Sequence, residues 1–172
     1  MEVTAGARRA GAHTTERPSR RWHAAGRLLD REAEELRKRF DEAYWIDERG
    51  GYYALALDAD KRKVDSLCSN IGHLLWSGIV PPSRVDAIVD QLMGDALWSG
   101  WGVRTMSTGD AGYNPLSYHN GTVWPHDNSL IAAGLARYAR WPEAQRIIQR
   151  MMTAAQHFNP VAGRIGLGAH PR

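Results

Sequence analysis

The sequence predicts a mainly α-helical domain, and three observations carry that expectation. Several stretches repeat apolar residues at helical spacing with charged residues between them. The links joining the later stretches are only a few residues long, which implies antiparallel helix hairpins. Extended character is concentrated in one short aromatic segment near residues 44–57, around a Gly-Gly turn. With 172 residues, the chain is long enough for one domain with a real core.

Taken in order, residues 1–24 are rich in Ala, Gly, Thr and Arg and hold few large apolar groups. They cannot bury enough surface to offset ordering entropy and are expected to be a disordered tail. From residue 29 the apolar steps of Leu29, Ala33, Leu36, Phe40 and Ala43 predict an amphipathic helix. Tyr44-Trp45-Ile46 and Tyr52 to Leu57, on either side of Asp47–Gly51, predict a short hairpin or paired extended segments, and Asp58–Lys61 a second turn. Residues 66–76 suit a helix through Leu67, Ile71, Leu74 and Leu75, although Gly72 weakens that reading. Pro81-Pro82-Ser83 marks a helix start with Ser83 as N-cap, and Val85, Ile88, Val89 and Leu92 form its buried stripe. A further helix is expected over residues 129–140, capped by Asp127 or Asn128. The last starts at Trp141-Pro142 and carries Ala144, Ile147, Ile148, Met151, Met152 and Ala155 at core spacing. Residues 159–172 show no period and are expected to be an irregular tail, leaving 25–158 as the folded domain.

Charge narrows the function classes. The formal net charge is +3, but residues 1–24 carry five Arg against two Glu and residues 159–172 two Arg and no acid. The part between is therefore slightly acidic. Nucleic-acid binders concentrate basic residues on the folded part, so nucleic acid is not an expected partner. No apolar run approaches a membrane span, so a membrane is not expected either. The first residues lack the apolar stretch of a secretory signal, and the single cysteine, Cys68, rules out an intrachain disulfide or a multi-cysteine metal site. A cytoplasmic setting without metal or cofactor is the expectation. Asn120-Gly121-Thr122 fits a glycosylation triplet, a pattern common by chance.

One stretch stands apart in chemistry. Residues 113–128, YNPLSYHNGTVWPHDN, bring together three aromatic rings, two imidazoles, one carboxylate and three carboxamides. Aromatic faces stack on the C–H side of a sugar ring, and the polar groups match its hydroxyls, so the composition suits a polyhydroxylated ligand. A packed loop whose polar groups satisfy buried backbone is the competing reading. Trp101 and Arg104, in WSGWGVR, form a second group, a stacking platform and a multi-donor fork. A core Trp with a surface Arg explains them equally. His73, beside an apolar face, reads either as a hydrogen-bonded core residue or as part of a site.

DADK at 58–61, VDSLCSNIGHLLWSGIV at 64–80, WSGWGVRTMS at 98–107 and YNPLSYHNGTVWPHDNSLIAAGL at 113–135 together resemble the glucosidase domain of bacterial glycogen-debranching proteins of the amylo-α-1,6-glucosidase type. These are six-hairpin glycosidases, and the resemblance covers about residues 25–158. It implies an (α/α)6 toroid, of which this chain holds about half, with the sugar pocket built from loops between helices. It also implies that Trp101, Arg104, Tyr118, His119, Asn120, Trp124 and Asp127 line that pocket, with Asn70 and His73 contributing from a neighbouring loop. The implied ligand is an oligosaccharide or glucoside.

The resemblance implies inverting hydrolysis by two carboxylic acids, set about 6.5 to 9.5 Å apart to admit water. The family's acid lies in an Arg-Asp-Ser/Thr motif and its base in a Leu-Pro-Glu-Leu-Phe-type motif. Neither occurs in this chain, which reads Asn159-Pro-Val-Ala-Gly-Arg-Ile-Gly where the second is expected. The expectation is a fragment that supplies substrate-binding loops, with both catalytic carboxylates elsewhere. Asp127 is the best internal carboxylate for a catalytic role and serves equally as a helix cap or hydroxyl acceptor. The alternative is a non-catalytic oligosaccharide-binding or self-associating helical module, since half a toroid leaves apolar helix faces uncovered.

Overall fold

The structure, a computed structural model, describes residues 20–158, with side chains from residue 25 onward. Most of the two expected tails lies outside the described residues. The chain divides into two compact units, Met1–Glu35 and Leu36–Arg172. Helix α1 (Arg20–Tyr44) crosses that boundary and begins nine residues before the apolar period at Leu29. Charged residues are good helix formers, so helix extends past the end of an apolar pattern. Within the first unit Leu28 and Leu29 are exposed.

In the second unit the end of α1 meets a small aromatic cluster. The rings of Phe40 and Tyr44 stack at 4.6 Å, and Phe40 packs on Tyr53 at 5.0 Å. Strand β1 (Trp45–Ile46) pairs antiparallel with β2 (Tyr52–Tyr53), Trp45 opposite Tyr53. The connecting turn runs through three positive φ values at Arg49, Gly50 and Gly51. Gly51 is obligatory there, because a Cβ would meet the Trp45 ring at 2.6 Å. The expected hairpin is therefore present. A second ladder, β3 (Ala56–Leu57) with β4 (Lys63–Val64), closes around the turn at 58–62. Tyr53 donates its hydroxyl to Asp41 Oδ1 at 2.6 Å, and Tyr52 donates to Asp65. Burial pushes both phenols up, so both remain donors.

Four helices complete the unit: α2 (Asn70–Ser77), α3 (Val85–Met93), α4 (Pro125–Arg137) and α5 (Trp141–Phe158). Helix α2 stops at Gly78, whose left-handed conformation closes the last turn onto Leu74 and Leu75 carbonyls. Helix α4 lies between α2 and α5 and packs on both. Ile71, Leu75, Ile88, Leu92, Ile131, Leu135 and Ile147 are almost wholly buried among them. Mainly helical, with helix pairs joined by short links and two small antiparallel ladders, this is the architecture of part of an (α/α)6 toroid.

Three local expectations are corrected. Ser83 is not an N-cap. Pro82–Arg84 form a 3-10 turn ahead of α3, and Arg84 occupies the capping position with no side-chain bond. Helix α4 starts earlier than residue 129, at Pro125, which fits the first turn because proline there forfeits no helical bond. Asp127 and Asn128 thus lie inside its first turn rather than capping it, and both are buried. On α5 only Ala144 and Ile147 are buried, while Ile148 and Met152 are exposed. The apolar period covers two helix faces, and α4 occupies one of them.

The crossing of α2 over α4 is unusually close because both helices present glycine at the contact. A Cβ on Gly134 would lie 2.6 Å from the Trp76 backbone nitrogen and 2.9 Å from the Gly72 carbonyl. A Cβ on Gly72 would meet Ile131 at 2.6 Å. His73, one residue on from Gly72, and Asp127, about two turns before Gly134, are brought within polar contact of each other across this crossing.

Candidate carbohydrate site

Three loops are stitched into one wall beside the start of α4. Isolated β-bridges join Cys68 to Met106, Trp98 to Val103 and Arg104 to Val123. Thr105 is the centre of this wall. Its N–H donates to Thr122 O at 2.9 Å, its carbonyl accepts from Ser69 N at 3.2 Å, and its hydroxyl accepts from Gly121 N at 2.9 Å. Asn128 fastens the wall to α4: its Oδ1 accepts from Val103 N at 2.7 Å, and its Nδ2 donates to Val103 O at 3.0 Å and Trp124 O at 2.9 Å. Every donor and acceptor demand of that buried amide is met without a ligand. Asn128 is structural.

Beside this wall lies an open pocket of roughly 310 Å³. The polar groups that line it come from separate segments: Asn70 and His73 from α2, His119 and Asn120 from the loop before α4, and Trp124 and Asp127 from the start of α4. Six of the nine residues expected at a sugar site are thus brought together. Leu55, Cys68, Ser69, Thr105 and Met106 also line it and were not singled out from sequence. Thr105 directly follows the WGVR stretch, so its position in the motif could have identified it. Leu55, on the hairpin side, carries no such signal. Burial pushes the Cys68 thiol up, which makes it a poor nucleophile in this wall.

The other three residues lie elsewhere. Tyr118 is two-thirds exposed and does not line the pocket, but its ring sits 4.4 Å from that of Trp124 and extends the aromatic surface outward. Trp101 packs on His157 at 5.6 Å and on Phe158 at 5.8 Å, at the end of α5. Arg104 pairs through its backbone with Val123 and Leu97, and its Nη1 is buried with no partner among the described residues. The sequence spacing that groups Trp101 and Arg104 with the pocket does not reveal that Trp101 packs at the end of α5 while Thr105 and Met106 line the pocket.

Two details define what the pocket can do. Trp124 Nε1 donates to Tyr118 O at 2.9 Å and Thr122 Oγ1 at 3.0 Å, so the indole N–H is committed and only the ring face is free to act. Asp127 is the single carboxylate among the described lining residues. Its Oδ1 lies 2.5 Å from His73 Nε2, while its Oδ2 is buried and has no partner. A buried carboxylate and an indole ring, with carboxamides and imidazoles around them, are groups suited to a hydroxyl-rich ligand. Among the described residues, no group of three or more His, Cys, Asp or Glu is disposed to hold a metal ion. No described helix is long and apolar enough to cross a membrane.

Helical hairpins bearing a pocket of this composition on helix starts and loops are an arrangement suited to a glycoside hydrolase-type domain. The family comparison makes this specific: the family described as "Mannosylglycerate hydrolase MGH1-like glycoside hydrolase domain" matches residues 17–166, and the chain belongs to it. No curated protein matches the chain.

Proposed function

We propose that this chain forms the substrate-recognition wall of a glycoside hydrolase acting on α-linked glycosides. One observation carries the reading: a pocket in which Asn70, His73, His119, Asn120, Trp124 and Asp127 converge from separate segments on one sugar-sized space. The Trp124 face stacks on the ring, and the amides and imidazoles that line the pocket bond its hydroxyls. Tyr118 continues the aromatic surface toward a second sugar or an aglycone. The motifs resembling debranching glucosidases favour an α-glucoside, and the matched family's description adds mannosylglycerate as a second substrate to test.

Hydrolysis in this reading is completed by carboxylates outside the pocket's described lining. A two-carboxylate mechanism needs an acid and a base flanking the scissile bond, and the lining offers Asp127 alone. Binding is therefore the activity expected of these residues. The free thiol of Cys68 is in keeping with a cytoplasmic setting. Self-association is a second element of the reading, favoured by the exposed apolar face of α5.

Calorimetric titration with glucose, maltose and mannosylglycerate tests the proposal. Saturable heat is expected with at least one of them, and Trp124→Ala should weaken it by about tenfold, since losing roughly 60 Å² of apolar contact at about 25 cal/mol per Å² forfeits about 1.5 kcal/mol. No heat with any of the three would overturn the reading.

A further inference from the structure

We infer that Leu55 is a specificity-determining residue of the pocket, and that it selects uncharged glycosides with an apolar aglycone. The inference rests on the carbohydrate reading of the pocket and names the class of substrate within it. Leu55 comes from the junction between β2 and β3, outside the motifs that supply the other lining residues. A leucine exposed on its own is ordinary. Leu55, however, is 40% exposed and lines the same space as Met106 and Trp124, so large apolar side chains from three segments share one pocket.

The backbone beneath Leu55 is fixed. Its N–H donates to Val64 O at 3.1 Å, and the N–H of Ala54 donates to Tyr44 O at 2.8 Å. Tyr52, Tyr53 and Ala54, the three residues before it, are all buried. A side chain carried on so well anchored a segment loses little freedom when a ligand arrives. The charge in the pocket points the same way. Asp127 is the single carboxylate of the described lining, which includes no lysine or arginine, and Arg104 lies outside it. An anionic aglycone would therefore meet a like charge and a leucine, which disfavours it. A short alkyl group would instead remove its own surface and that of Leu55 from water.

The test is calorimetric titration of the full chain at pH 8, above the ordinary histidine range. Two series of α-glycosides are used, glucose and mannose, each with a methyl, a butyl and a glycerate aglycone, and the comparison is made within the sugar that binds. The parent should take the butyl glycoside about fivefold more tightly than the methyl one, a part of what full burial of three methylenes would give. The glycerate glycoside should bind about fivefold more weakly than the methyl one. Leu55→Ala and the polar Leu55→Gln should each bring butyl and methyl to within about twofold of each other while leaving methyl binding unchanged, with thermal unfolding confirming that the variants fold. Equal affinity of the parent for butyl and methyl, or a butyl preference that survives both substitutions, would overturn the inference and leave the carbohydrate reading standing. So would an equal loss of methyl and butyl binding in the variants, which would place Leu55 against the sugar, or a parent that prefers the glycerate glycoside. Silence with all six glycosides would overturn both.

Discussion

At the scale of residues, neighbouring polar side chains in the first turn of α4 do opposite jobs. Asp127 keeps one buried oxygen without a hydrogen-bond partner, while Asn128 spends all its capacity on the backbone of Val103 and Trp124. The consequences of changing them should separate. Asn128→Leu strands the Val103 N–H and C=O inside the protein, at about 1–3 kcal/mol for each unsatisfied group. A loss of about 2–5 kcal/mol in chemical denaturation is expected on that basis. Trp124→Ala should instead act mainly on ligand affinity, because its partly buried ring lines the pocket. An Asn128→Leu variant with unchanged stability would show that the loop is not fastened through that amide.

At the scale of elements, the glycine crossing of α2 on α4 couples packing to the site. Two of the atoms that an added Cβ would strike at Gly134, Trp76 N and Gly72 O, are backbone, which cannot swing aside. Gly134→Ala should therefore push the helices apart and cost about 1–3 kcal/mol, the usual penalty for overpacking. It should also lengthen the His73–Asp127 contact and weaken ligand binding with it. Thermal unfolding and the same calorimetric titration check both halves, and a stabilised Gly134→Ala variant would contradict the packing argument. Most elements were legible in the sequence: the stripe Val85, Ile88, Val89 and Leu92 marks α3, and Trp45 to Tyr53 around the glycine turn marks the first hairpin. Their starts were less so. Helix α4 begins at a proline that reads locally as a helix breaker, and Ser83 has the chemistry of a cap without the geometry of one.

At the scale of the whole molecule, the exposed apolar face of α5 has a predictable outcome. Trp141, Ile148 and Met152 are each more than half exposed, and apolar groups at helical spacing favour burial against another surface. Self-association is expected in sedimentation analysis at micromolar concentration, and Ile148→Lys with Met152→Lys should reduce it without altering the core around Ile147. A monodisperse parent chain would refute this.

The sequence by itself determined the helical class, the aromatic hairpin and the broad glycoside hydrolase class, because period, turn chemistry and long compositionally unusual motifs are local properties of the chain. It also supplied the residue types of the proposed sugar pocket. Only the tertiary structure decided which of them share it. Asn70 and His73 are some fifty residues from His119 and Asp127 in the chain and meet because two glycines let two helices touch. Trp101 and Arg104 are nearer in sequence and are left outside the pocket lining. Side-chain direction in a loop is set by the bridges it makes, and those bridges are to partners that the loop's own sequence does not name.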